Sequence, residues 1–117
     1  MNPSSERSFI LGAWRVEPSR RLLIAREGGR EVRLEPRAMD LLLLLAGEPN
    51  AVLTKDRIIA GVWNRRAIGD DTLAAVVSRL RAALGDTKVR RYIETVSKSG
   101  YRLIVNPESS AATAKRP

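Results

Sequence analysis

Leu73, Val76, Val77, Leu80 and Leu84 fall at i, i+3, i+4, i+7 and i+11, the recurrence of one narrow apolar stripe along a helix. At 100° per residue, Asp71, Ala75, Ser78 and Ala82 point away from that stripe, and Arg79 and Arg81 take opposite flanks of the exposed strip. Small side chains along the middle of a helix face, with guanidinium groups at its edges, suit a groove between two phosphate backbones. A solvated face is the plain alternative for the same arginines. The distribution of charge favours the first reading. Residues 1–53 carry eight basic and seven acidic side chains, residues 54–102 eleven and five, and residues 103–117 two and one. The net charge of +8 is therefore concentrated around this helix, and such a field selects a polyanionic partner.

Other chemistries lack their reagents. The chain has no histidine and no cysteine, which removes the ordinary zinc site, the Ser-His and Cys-His nucleophiles and any disulfide framework. Asp70 and Asp71 beside Gly69 could be read as a cation pair. Two adjacent carboxylates without further ligands hold a cation poorly, whereas a helix N-terminus favours them, so capping is the preferred reading. No GxxxxGKS loop and no separated carboxylate pair suggests a reaction. The expectation is a protein that is not an enzyme, with no cofactor, no metal and no small-molecule substrate. The longest apolar run, residues 41–46, is far short of the ~20 residues that cross a bilayer, and residues 1–7 lead into no signal-type segment. A soluble, unexported, cytoplasmic domain is expected.

At 117 residues there is room for one domain. Residues 1–7 read as a flexible N-terminus and residues 107–117, PESSAATAKRP, as a flexible tail or linker, which leaves residues 8–106 as the folded unit. From Phe9 to Glu35 alternation interrupted by Pro18-Ser19 and Gly28-Gly29 predicts an antiparallel four-stranded meander. Pro36 suits the first turn of a helix, and the segment from Ala38 to Ala46, apolar on nearly every side, makes that helix the buried centre, ended by Gly47 and Pro49. Thr54 is an N-cap for a second helix through Ile58, Ile59, Val62 and Trp63, and residues 64–69 connect it to the third. Gly85 stops the third helix. After a basic stretch, Lys88 to Arg91, two strand-like segments enclose Ser97-Lys98-Ser99-Gly100, a hairpin with a lysine at its tip.

The ordered segments VRLEPRAMDLLLLLAGEPNAVLTKDRIIAGVW, GDDTLAAVVSRLRAALGD and YIETVSKSGYRL resemble the OmpR/PhoB-type winged helix-turn-helix over residues 9–103. The hairpin wording, and the lack of an attached receiver domain, look more like the CadC/ToxR-like branch of one-component regulators. The resemblance implies an α+β winged helix-turn-helix fold with an N-terminal four-stranded meander, three helices and a C-terminal hairpin wing. It also implies sequence-specific binding of double-stranded DNA in bacterial transcription regulation, with the third helix in the major groove and the wing at the minor groove. RNA polymerase is a possible second partner. A single recognition helix without a coiled coil predicts a monomer in isolation that is paired on DNA. The full-length regulator would be anchored to the inner membrane only through a segment absent from these residues.

Carried over position by position, the resemblance assigns Asp71, Thr72, Ala75, Ser78, Arg79 and Arg81 to the major groove. It gives phosphate contacts to Lys55, Trp63, Thr95 and Tyr101, with Lys98 and Arg102 as cations of the wing. Asp71 stands where the family often has arginine, and could accept from a cytosine amino group. Ser97 stands where a basic residue is common, and Lys98 is the nearest substitute. Trp63 can be a core aromatic, an indole donor to phosphate, or both; Lys98 can be a solvated turn residue or a groove contact. Two other classes stay open, a winged-helix protein-interaction module and an RNA-binding module, although RNA modules usually expose aromatics for stacking and only five aromatics occur here.

Overall fold

A computed structural model describes residues 7–64, 68–86 and 92–109. The strands β1 (Phe9–Leu11), β2 (Trp14–Glu17), β3 (Leu22–Ala25) and β4 (Glu31–Arg33) form the expected antiparallel meander. Its register places Phe9, Val16, Leu23 and Val32 in one cross-strand row and Ile10, Arg15, Ile24 and Glu31 in another. Alternation sends successive rows to opposite faces. The first row joins Leu11 and Trp14 in the hydrophobic core. The helix α1 (Pro36–Gly47) begins with proline in its first turn and buries Ala38, Met39, Leu41, Leu42 and Leu45. It contacts both other helices, so it is the centre that its apolar composition predicts.

Two strands were not legible in the sequence. Val52–Thr54 forms β5, which pairs with the second strand of the hairpin and converts the wing into a three-stranded sheet, ordered β5, β7 (Gly100–Leu103), β6 (Ile93–Val96). Glu108–Ser109 forms β8, which pairs with Phe9 and Ile10 and adds a fifth strand to the meander sheet. That pairing falls inside the stretch whose composition suggested a tail beginning at residue 107. Two residues of backbone pairing need no apolar pattern, so composition does not register them.

The helix α2 (Lys55–Trp63) is capped as expected, Thr54 Oγ1 accepting from the Arg57 N–H at 3.1 Å. The helix α3 (Asp70–Leu84) departs from expectation at its start. Its N-cap is Gly69 and no side chain caps it, so Asp70 and Asp71 are helical residues of the first turn. The Asp71 carboxylate acts through its charge near the positive helix end rather than through a capping bond. At the other end Gly85 takes a left-handed conformation, φ 78°. Its N–H donates to the Ala82 carbonyl and that of Asp86 to the Arg81 carbonyl, at 3.2 and 2.7 Å, a Schellman closure. The expected flexible segment 1–7 lies outside the described residues except for Arg7, as do part of the connection 64–69, the basic stretch from Lys88 to Arg91 and most of the tail. Among the described residues no helix is long and apolar enough to cross a membrane.

Candidate nucleic-acid interface

The apolar stripe of α3 is buried at every position, Leu73, Val76, Val77, Leu80 and Leu84 each being 3% exposed or less. That burial fixes the outward face. Asp71, Thr72, Ser78 and Arg79 are exposed and Ala75 is half-buried. Ala74, which helical geometry alone did not single out, is exposed on the same helix and widens the small-residue surface on the Arg81 side. Among the described residues the middle of this face, Ala74, Ala75, Ser78 and Ala82, carries only small side chains, so a partner can approach the helix closely there.

The two flanking arginines are engaged differently in the free protein. Arg79 Nη1 donates to Glu35 Oε1 at 3.0 Å, with both side chains well exposed; such a pair is worth little in water and exchanges readily for another anion. Arg81 instead turns to the hairpin, donating to the Ile93 carbonyl and to Thr95 Oγ1. Its guanidinium carbon lies 5.9 Å from the Tyr101 ring centroid. Three residues from separate parts of the expected site, Arg81, Thr95 and Tyr101, are thereby brought together. Thr95 is exposed while Tyr101 is 8% exposed.

Lys55 and Trp63 occupy the two ends of α2. Lys55 is half-buried, and Trp63 is a member of the core at 7% exposure, so its core role is plain. Arg37 steadies that end of the helix, its Nη1 donating to the Val62 carbonyl at 2.8 Å and its guanidinium lying 6.0 Å from the Trp63 ring centroid. At the other end, Arg57 hydrogen-bonds Glu48 and holds that carboxyl below the usual carboxylate range. The turn after α1 is thus tied to the first turn of α2.

In the wing, Lys98 is exposed in the turn that the Ser99 N–H closes onto the Val96 carbonyl at 2.8 Å. Arg102 donates to Glu94 Oε1 at 2.9 Å from the neighbouring strand, which offsets much of its charge locally. Two supports were missed in the sequence. Asp86, fully buried, accepts from the Ile93 N–H at 3.0 Å and fastens the wing to the end of α3. Trp14 Nε1 donates to the Leu84 carbonyl at 3.0 Å, fastening the meander to the same helix end. A polar residue directly after a helix stop is a weak signal for the first; nothing local signals the second.

Comparison with known proteins agrees with this architecture. The family model described as "Transcriptional regulatory protein, C terminal" matches residues 29–103. "Transcriptional activator CadC" of Escherichia coli (strain K12) is 37% identical over 97 residues, which cover 81% of this chain and 19% of that protein. "Cholera toxin transcriptional activator" of Vibrio cholerae is 35% identical over 106 residues, covering 86% and 36%. This chain spans less than half the length of these curated relatives. Among solved structures, the DNA-binding domain of E. coli CadC superposes with a TM-score of 0.76 at 34% identity, covering 88% of this chain and 96% of that one. The Klebsiella pneumoniae RstA DNA-binding domain, solved in complex with the RstA box, gives 0.68 at 25% identity, covering 83% and 96%.

Proposed function

The chain belongs to the C-terminal family of transcriptional regulatory proteins, DNA-binding winged helices of OmpR/PhoB type rather than enzymes, and on that premise we propose a sequence-specific duplex-DNA reader. In this reading α3 enters the major groove with Asp71, Thr72, Ala75, Ser78 and Arg79 toward the bases and their flanking phosphates. The wing meets the adjacent minor groove through Lys98, and Lys55, Thr95 and Arg102 line the approach to the backbone. Trp63 and Tyr101 contribute at most their polar edges, since their rings are buried. Two copies occupy repeated half-sites about one helical turn apart.

The observation that carries this reading is the outward face of α3. It is small along its middle, edged by an exchangeable arginine, and lies in the part of the chain that holds most of the positive charge. The RNA alternative is weakened further, because Phe9 is half-buried and Trp14, Trp63, Tyr92 and Tyr101 are all buried, leaving no aromatic platform for unpaired bases. In vitro selection from a random duplex library, followed by titration of the recovered duplex at several salt concentrations, tests the proposal. Specific binding with a steep salt dependence is expected. Failure to enrich any duplex would refute it.

Two substitutions divide the interface. Arg79→Ala is expected to weaken binding to the selected duplex. A loss that is uniform across sequences, with a salt slope smaller by about one unit, marks a phosphate contact; a loss of ~1–3 kcal/mol confined to one base position marks a base contact. Unchanged affinity removes α3 from the interface. Lys98→Ala is expected to lose more affinity on AT-rich than on GC-rich flanks, because an ammonium in a narrow minor groove gains from its enhanced negative potential. Equal losses on both flanks would assign Lys98 to the phosphates instead.

A further inference from the structure

Ile93, the first residue of the wing, is held at both of its backbone polar groups. Its N–H donates to the fully buried Asp86, and its carbonyl accepts from Arg81 Nε and Nη2 at 3.3 and 3.0 Å. The same Nη2 donates to Thr95 Oγ1 at 2.8 Å, and the guanidinium lies over the Tyr101 ring. One planar group on the reading helix therefore engages both strands of the wing. We infer that Arg81 is a positioning residue, which sets the wing against α3 and fixes the polarity of the Thr95 hydroxyl, rather than a direct contact to phosphate.

The polarity argument follows from the donor inventory. A guanidinium has N–H donors and no acceptor, so Thr95 Oγ1 must accept from it. The single hydroxyl proton is then left to be donated elsewhere. A DNA backbone presents acceptor oxygens, so Arg81 prepares Thr95 for the role the DNA-binding reading gives it. Lysine cannot substitute, because an ammonium on a flexible stem lacks the planar fork that reaches a carbonyl and a hydroxyl together while lying over a ring. A direct phosphate contact would behave otherwise, since positive charge alone would restore most of it.

The wing-positioning part stands without DNA, while the Thr95 part rests on the DNA-binding reading, so two measurements on the full chain separate them. In free Arg81→Lys, amide hydrogen exchange in β6 and β7 is expected to quicken about ten-fold, the loss of one or two charge-assisted hydrogen bonds, with exchange in α1 unchanged. Parental exchange rates in the wing would overturn the inference. On the selected duplex, Arg81→Lys is expected to bind as weakly as Arg81→Ala. Thr95→Val is expected to cost about five-fold in the parent and nothing further in Arg81→Lys. Parental binding by Arg81→Lys, or an equal cost of Thr95→Val in both backgrounds, would overturn it. If the parent binds no duplex, the DNA reading fails and the exchange result alone decides the role of Arg81.

Discussion

Gly100→Ala is expected to be among the most damaging single-methyl additions in this chain. An ideal Cβ at Gly100 would lie 2.0 Å from the Leu53 carbonyl oxygen, 2.9 Å from its carbon and 3.0 Å from the Thr54 Cα. All three are backbone atoms, so no rotamer change relieves the clash, and β5 or β7 must move. Thr54 is paired with Gly100 and also caps α2, so the displacement reaches the start of the second helix as well as the wing. Overpacking costs typically ~1–3 kcal/mol and more where backbone must shift, against the ~5–15 kcal/mol that holds a domain together. At ~4–8 °C per kcal/mol for a domain of about this size, a loss of ~3 kcal/mol lowers the melting temperature by more than ~12 °C. Thermal unfolding followed by circular dichroism measures this directly; a change within ~3 °C would show that the small sheet opens at no cost.

The same glycine shows where the sequence was readable and where it was not. Ser97-Lys98-Ser99-Gly100 announces a hairpin through its turn residues, yet Gly100 is a strand residue whose necessity lies in the backbone across the sheet, the Leu53 carbonyl next to its pairing partner Thr54. Turn chemistry is local, so it was visible; the β5 pairing joins positions about fifty residues apart in a strand of three residues, too short for alternation to stand out. The apolar stripe of α3 was legible for the complementary reason. Five residues at helical spacing can serve one face only, and all five are buried. Helical spacing puts both arginines at the edges of the exposed strip, but their partners Glu35 and Ile93 lie 44 and 12 residues away. Periodicity gives the direction of a side chain and not what it meets there. Hence Arg79 and Arg81, indistinguishable in the sequence, have different prospects once the wing is folded against the helix.

Trp14 decides whether the meander is a mounting for the reading helix or an independent ornament of the fold. Its ring is 5% exposed within the core, Arg30 lies 5.7 Å from its centroid, and its indole N–H reaches the Leu84 carbonyl, 70 residues along the chain. That carbonyl is one of the last of α3, and the Gly85 closure serves the Ala82 and Arg81 carbonyls rather than this one; the indole supplies a partner that the helix end lacks. Two substitutions separate volume from hydrogen bond. Trp14→Ala removes both and is expected to cost ~3–5 kcal/mol, as large aromatic truncations in cores do. Trp14→Phe keeps most of the ring, leaves the carbonyl short of a buried donor and is expected to cost ~1–3 kcal/mol. Urea unfolding with a common m-value gives both differences. A neutral Trp14→Phe would mean that the Leu84 carbonyl finds another donor and that apolar contact alone joins sheet to helix, whereas a Trp14→Ala loss below ~1 kcal/mol would mean that the meander does not brace α3 at all.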